Sequence, residues 1–156
     1  NRYFESDIDG KKPLKSSWFK PIPWRASAIV PSDEFFMEYY AHSLAVFDPM
    51  IMAIGGFTSG TVGHENQIEA FAEVYRNLPV GKWNSLPDSG NGAVGRFIVF
   101  EGKKYIYIVN TKFAAVDVVL KNIKLMKPIG GSPEMIQNKD GVIVKLGPYQ
   151  LGAWME

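Results

Sequence analysis

The stretch DPMIMAIGGFTSGTVGHENQIEAFAEVYRNL, residues 48–78, decides how this chain is read. Met50 to Ile54 is a short uninterrupted apolar run closed by Gly55-Gly56, the pattern of a strand hidden on both faces. A glycine-rich loop, 57–64, follows. From Glu65 to Asn77 the apolar positions Ile68, Phe71, Ala72 and Tyr75, continued by Leu78, keep helical spacing with Glu69, Glu73 and Arg76 opposite. The spacing predicts a helix with one face on a sheet and the other in water. Strand, loop and helix in that order form the repeating unit of a parallel barrel or a doubly wound sheet. Parallel strands need neighbours reached by long crossovers, and the rest of the sequence holds no second buried run of this kind. The partners of this strand are therefore expected before Asn1, and the chain is expected to be the C-terminal fragment of a larger α/β enzyme.

Upstream, Ser32 is placed to cap a helix whose first turn carries Asp33 and Glu34, where carboxylates favour the dipole. That helix is expected to run to about Phe47 and to be stopped by Pro49. Phe36, Tyr40, Leu44 and Phe47 line one side, and Phe35, Met37, Tyr39 and Ala45 surround it, so it should be buried or packed on two sides.

Downstream, the stretch GKWNSLPDSGNG, residues 81–92, is crowded with turn formers and separates two regions of different periodicity. We expect a boundary there: an α/β part over 1–80, a linker over 81–92, and an all-β antiparallel sandwich or sheet over 93–156. In the last region Arg96 to Glu101 and Lys104 to Asn110 alternate across Gly102-Lys103, with Tyr105, Tyr107 and Val109 on one face and Ile106 and Ile108 on the other. Ala115 to Leu120, Gly141 to Leu146 and Gln150 to Trp154 supply further strands between Gly- and Pro-rich turns.

Composition narrows the classes of partner. Of the 156 residues, 46% are hydrophobic and 13% aromatic, ample for a buried core. Seventeen Lys and Arg against sixteen Asp and Glu leave a formal charge of +1, which argues against nucleic acid or an anionic membrane recruited by bulk charge. Neutral, sugar-like or apolar ligands fit better. No apolar run approaches the roughly 20 residues of a membrane-spanning helix, and the absence of cysteine removes disulfides, thiol nucleophiles and Cys-based zinc sites together.

The segments FFMEYYAHSLAVFDPMIMAIGGF, EAFAEVYRNLP, KKYIYIVNT and LGPYQLGAWM, in that order, resemble the end of a (β/α)8-barrel glycoside hydrolase followed by its C-terminal antiparallel β domain. The resemblance covers residues 30–156 and lies in the order and texture of elements. It implies hydrolysis of an O-glycosidic bond by paired carboxylates, with carbohydrate as ligand, the remainder of the barrel as structural partner, no cofactor, and an extracellular or periplasmic setting. Glu5 of Tyr3-Phe4-Glu5-Ser6 precedes the first long helix by about the distance such enzymes leave after a seventh strand, so the resemblance makes it the candidate catalytic nucleophile, the alternative being an ordinary surface carboxylate near the terminus. One carboxylate attacks or stabilises an oxocarbenium-like centre while a second protonates the leaving oxygen, at roughly 5 to 5.5 Å separation for retention. Family members often carry a Trp beneath the sugar after the eighth strand; here that position is Phe57.

Other residues of the same region are candidates for binding. Trp18 and Trp24, among Pro21 and Pro23, would lie on the catalytic face and could stack on a sugar ring, or simply pin their loop. Thr58 can offer its hydroxyl to a sugar, and His64 at the start of the next helix can orient substrate or cap the helix. Gly55 to Gly60 is no phosphate cradle, because Thr61 stands where the Walker pattern requires Lys. Asp7, Asp9 and Gly10 lack the remaining ligands of a calcium loop. His42 lies within the most apolar helix, reads as a satisfied core histidine, and has no second ligand at metal-binding spacing. A rival reading is a non-catalytic carbohydrate-binding or interaction module, with an aromatic surface around Tyr105 and Tyr107.

Overall fold

A computed structural model describes residues 2–4, 25–28, 37–49, 51–54, 65–87, 90 and 92–156. Two short strands, β1 (Arg2–Phe4) and β2 (Arg25–Ala28), pair antiparallel, and β2 pairs in parallel with β3 (Ile51–Ile54) in the register Arg25↔Ile51 to Ala28↔Ile54. The chain between β2 and β3 contains helix α1 (Glu38–Val46), so β2, α1 and β3 form a βαβ unit. This corrects the expectation that the partners of β3 all lie before Asn1. Arg-Ala-Ser-Ala carries no apolar run, but parallel pairing joins backbone N–H and C=O groups that every non-proline residue possesses, so four undistinguished residues suffice. Among the described residues β3 forms one edge of this sheet.

Helix α1 ends at Phe47, which turns extended while its N–H still bonds the Ser43 carbonyl at 2.9 Å. Met37, Ala41 and Leu44 face the antiparallel part of the chain, whereas Tyr39 and Ser43 are fully buried elsewhere on the helix surface. Burial on more than one side is what its nearly unbroken apolar surface requires. Helix α2 (Glu65–Arg76) is amphipathic as expected, with Phe71 and Val74 buried and Ile68 and Tyr75 beside them. Glu65 in its first turn and Arg76 in its last complement the helix dipole. The two helices meet where the Tyr40 ring lies 5.7 Å from that of Phe71.

The remaining eight strands are β4 (Asn84–Ser85), β5 (Ala93–Phe100), β6 (Lys103–Asn110), β7 (Val116–Leu120), β8 (Lys127–Pro128), β9 (Ile136–Asn138), β10 (Gly141–Leu146) and β11 (Leu151–Met155). They form a five-stranded sheet in the order β4-β5-β6-β11-β8 and a three-stranded sheet β7-β10-β9, with every pairing antiparallel. Asn84 and Ser85, from the polar stretch before Gly92, pair with Phe97 and Arg96, and Trp83 beside them is buried. The β5–β6 hairpin turns through Glu101 and Gly102, one residue earlier than the Gly102-Lys103 expected, with φ of +49° and +76°. Positive φ at both central residues is the type I′ geometry that matches strand twist.

Alternation in β6 builds three layers. Tyr105, Tyr107 and Val109 point to the helices, and Ile106 and Ile108 to the three-stranded sheet, as the sequence pattern predicts. The inter-sheet core holds Ile106, Ile108, Val118, Leu120, Val142, Val144, Leu146 and Trp154. Trp154 is fully buried with its Nε1–H donated to Pro133 O at 2.8 Å, and Gly152 permits this because a Cβ there would stand 2.6 Å from the indole. The described chain is thus β-rich and mostly antiparallel, with two helices covering the outer face of its larger sheet.

Candidate functional site

The residues expected to act on substrate, Glu5, Trp18, Trp24, Phe57, Thr58 and His64, lie outside the described residues. So do Ser32 and the acidic pair Asp7 and Asp9. His42 is described and behaves as a structural histidine: Nε2 lies 2.9 Å from Thr111 O and Nδ1 lies 3.9 Å from Glu38 Oε1. Among the described residues no group of His, Cys, Asp and Glu is arranged to hold a metal ion, and no helix is long and apolar enough to cross a membrane.

Three features of the described chain have the form of sites, and all border the helical layer. The first is a polar cluster at the end of α1. The last carbonyls of a helix have no partner within it, and here the antiparallel sheet supplies them. Tyr107 donates its hydroxyl to Leu44 O at 3.1 Å, and Arg96 donates Nη2 to Ala45 O at 3.0 Å. The same guanidinium meets Asp48 Oδ1 at 2.6 Å, and the second carboxylate oxygen accepts Trp83 N–H at 3.2 Å. From α2, Tyr75 donates to Pro49 O. The Trp83 and Tyr107 rings meet edge to face at 4.7 Å. Burial pushes the Tyr75 hydroxyl up to about 12. Burial raises Tyr107 as well, with Asp48 and Tyr75 adding to the effect and Arg96 opposing it. Both phenols stay neutral donors over the ordinary pH range. With both oxygens of Asp48 engaged and both phenol protons committed to backbone carbonyls, the cluster is a joint between helix and sheet, not a reacting centre. Sequence inspection missed it because Asp48 and Arg96 are 48 residues apart and neither belongs to a motif.

The second feature is a cleft of about 340 Å³ between α1, α2 and β3, lined by Tyr40, Met52, Ile68, Phe71, Tyr75 and Arg76 among others. Its wall is mainly apolar and it has no converging set of polar groups. The third, of about 440 Å³, lies between the start of α2 and the turns at one end of the sandwich, with Gln67 and Phe71 on one side and Phe113, Tyr149 and Gln150 on the other.

The structure removes the aromatic surface that the module reading places around Tyr105 and Tyr107. Tyr107 is fully buried and Tyr105 half-buried, because α1 and α2 cover that face of the sheet. Periodicity separates the two faces of a strand but does not say which of them another element will cover.

No family model matches this chain, and no curated protein matches it. Among solved structures it is similar to a mutant isomaltulose synthase from Erwinia rhapontici NX5 in complex with its natural substrate sucrose, at 21% identity and a TM-score of 0.37. The match covers 59% of this chain and 16% of that one, so the chain spans under a fifth of the length of the structure it matches.

Proposed function

We propose that the chain is the C-terminal part of a glycoside hydrolase acting on O-glycosidic bonds, with residues 1–80 closing a (β/α)8 barrel and 93–156 forming an antiparallel β domain, to which the connecting residues 81–92 contribute β4 and the buried Trp83. The observation that carries this reading is the order β2, α1, β3, α2, with β2 and β3 parallel, leading directly into an antiparallel sandwich against which both helices pack. A barrel is one of the few architectures built from repeated strand–helix units, and its catalytic groups sit where strands lead into helices. Phe57, Thr58 and His64 fall between β3 and α2, whereas Glu5, Trp18 and Trp24 fall between the antiparallel strands β1 and β2, so their roles rest on the resemblance alone. In this reading Glu5 is the nucleophile, Trp18, Trp24 and Phe57 offer apolar faces to sugar rings, and Thr58 and His64 hydrogen-bond hydroxyls. The acid/base partner comes from the remainder of the barrel.

A panel of aryl glycosides tests the proposal on the full-length protein. At least one should be hydrolysed, and Glu5→Gln should lower its turnover by at least about 10²-fold, the scale of losing a group that takes part in the bond-breaking steps. Residues 1–156 alone should be inactive, holding one carboxylate of the pair. Turnover unaffected by Glu5→Gln, or no turnover of any member, overturns the assignment.

A further inference from the structure

The 440 Å³ cleft has properties that the joint at the end of α1 and the apolar cleft beneath the helices both lack. None of its eleven described lining residues is charged, and two of them are amides: Gln67 from the first turn of α2 and Gln150 from the turn before β11. Gln150 accepts Gly147 N–H on Oε1 at 2.7 Å, and its amide nitrogen has no hydrogen-bond partner among the described residues. The Phe113 ring is 48% exposed and lies 6.3 Å from the buried ring of Tyr149, tilted by 50° to it, so an exposed aromatic face backed by a buried ring borders the opening.

The wall is also pre-formed. Tyr149 has φ of +53°, a left-handed conformation that is a genuine outlier for a bulky residue and persists only where the surroundings impose it. Its N–H is held by Lys112 O at 3.1 Å. Beneath it, fully buried Asn110 donates Nδ2 to both Ala114 O, at 2.7 Å, and Gly147 O, at 2.8 Å, while its Oδ1 accepts Lys112 N–H at 2.9 Å. One side chain thereby ties together the loop that carries Phe113 and the turn that carries Tyr149 and Gln150. A site whose groups are already fixed loses little entropy when a ligand arrives. In a βαβ arrangement the helix N-termini lie at the end toward which the strands run, and Met37 and Gln67, at the starts of α1 and α2, both line this cleft.

We propose that this cleft binds a linear, neutral oligosaccharide, a sugar ring lying on Phe113 and a hydroxyl accepting from the Gln150 amide. Uncharged amides beside an aromatic face suit a ligand rich in hydroxyls and poor in charge. Deepening the glycoside hydrolase reading and resting on it, the proposal makes the antiparallel domain hold part of the substrate at the helix-N-terminal end of the α/β unit.

The test is titration calorimetry of the full-length protein with three linear tetrasaccharides, of glucose in α-1,4 linkage, glucose in β-1,4 linkage and xylose in β-1,4 linkage. At least one should bind, and Phe113→Ala and Gln150→Glu should each weaken it by about tenfold, the scale of one apolar or hydrogen-bonding contact. Gln150→Glu keeps the oxygen that holds Gly147, so it reports on the lost donor if Phe113→Ala proves unstable. Aryl monoglycoside turnover by the unaltered protein tests the enzyme reading separately. Turnover together with tetrasaccharide affinity that neither variant changes overturns the cleft proposal alone. Binding that depends on both residues without any turnover retires the enzyme reading and leaves the cleft as a carbohydrate-binding site. Failure to bind any tetrasaccharide overturns the cleft proposal.

Discussion

Tyr75 and Tyr107 show how far the surroundings of a single residue depart from its composition-level meaning. Each spends its hydroxyl on a backbone carbonyl at the end of α1 or just beyond it, and burial raises both pKa values above the ordinary 10.0. The sign of the linkage follows. In the unfolded chain both phenols ionise near pH 10, whereas in the folded chain Tyr75 holds its proton until about 12 and burial raises Tyr107 in the same direction. Above pH 10 the unfolded state therefore binds fewer protons than the folded one, and stability falls as pH rises. Their contribution is fully present below pH 10 and is lost through pH 12. Urea unfolding measured between pH 8 and 12 should show this fall, and a Tyr75→Phe, Tyr107→Phe double variant should fall less steeply from a lower starting value. An identical slope in the variant would show that other groups govern the alkaline limb.

At the scale of elements, the β5–β6 hairpin is a local structure that the sequence marks clearly and misplaces by one residue. The alternating strands and Gly102 are visible, yet the register depends on which two residues occupy the left-handed positions, and Glu101 gives no such signal. Glu101 tolerates φ of +49° because β5 and β6 pair over their whole length, from Ala93↔Asn110 to Phe100↔Lys103. Replacing it with a residue better suited to that conformation should stabilise: Glu101→Asn is expected to raise stability by several tenths of a kcal/mol, and Gly102→Ala to lower it by about 1 kcal/mol. No atom lies within 4 Å of a Cβ at Gly102, so the loss would come from backbone conformation alone. Thermal unfolding of the two variants measures both, and a stabilising Gly102→Ala would contradict the turn type.

For the molecule as a whole, the joint formed by Arg96, Asp48 and Trp83 connects the helical layer to the larger sheet, and Leu44, Phe71, Val74, Tyr107 and Leu151 share one core across it. Arg96→Ala leaves Asp48 Oδ1 and the Ala45 carbonyl without their donor, the other carboxylate oxygen keeping Trp83 N–H, so stability should fall by about 1 to 3 kcal/mol. The loss should also be localised. Amide exchange is expected to accelerate in α1 while β7 and β10, on the far side of the sandwich, keep their protection. Equal acceleration in both layers would mean that Arg96 supports the entire molecule and not the joint.

Much of this architecture is carried by local pattern. The period-two stretches from Arg96 onward, the two-sided apolar character of the helix before Pro49, and the amphipathic helix over 65–76 follow from side-chain spacing, because burial on one face imposes a period that any single chain displays. Other features arise only when distant segments meet. Arg-Ala-Ser-Ala becomes the parallel partner of β3 through backbone groups that composition cannot distinguish. Arg96 finds Asp48, Tyr107 becomes a buried donor instead of a surface aromatic, and Asn110 draws Phe113 and Gln150 to one cleft. The sequence by itself determined which faces are apolar and where strands and helices begin to differ. Tertiary structure alone decided which apolar face is covered and which polar groups converge, since pairing between residues dozens of positions apart leaves no periodic trace along the chain.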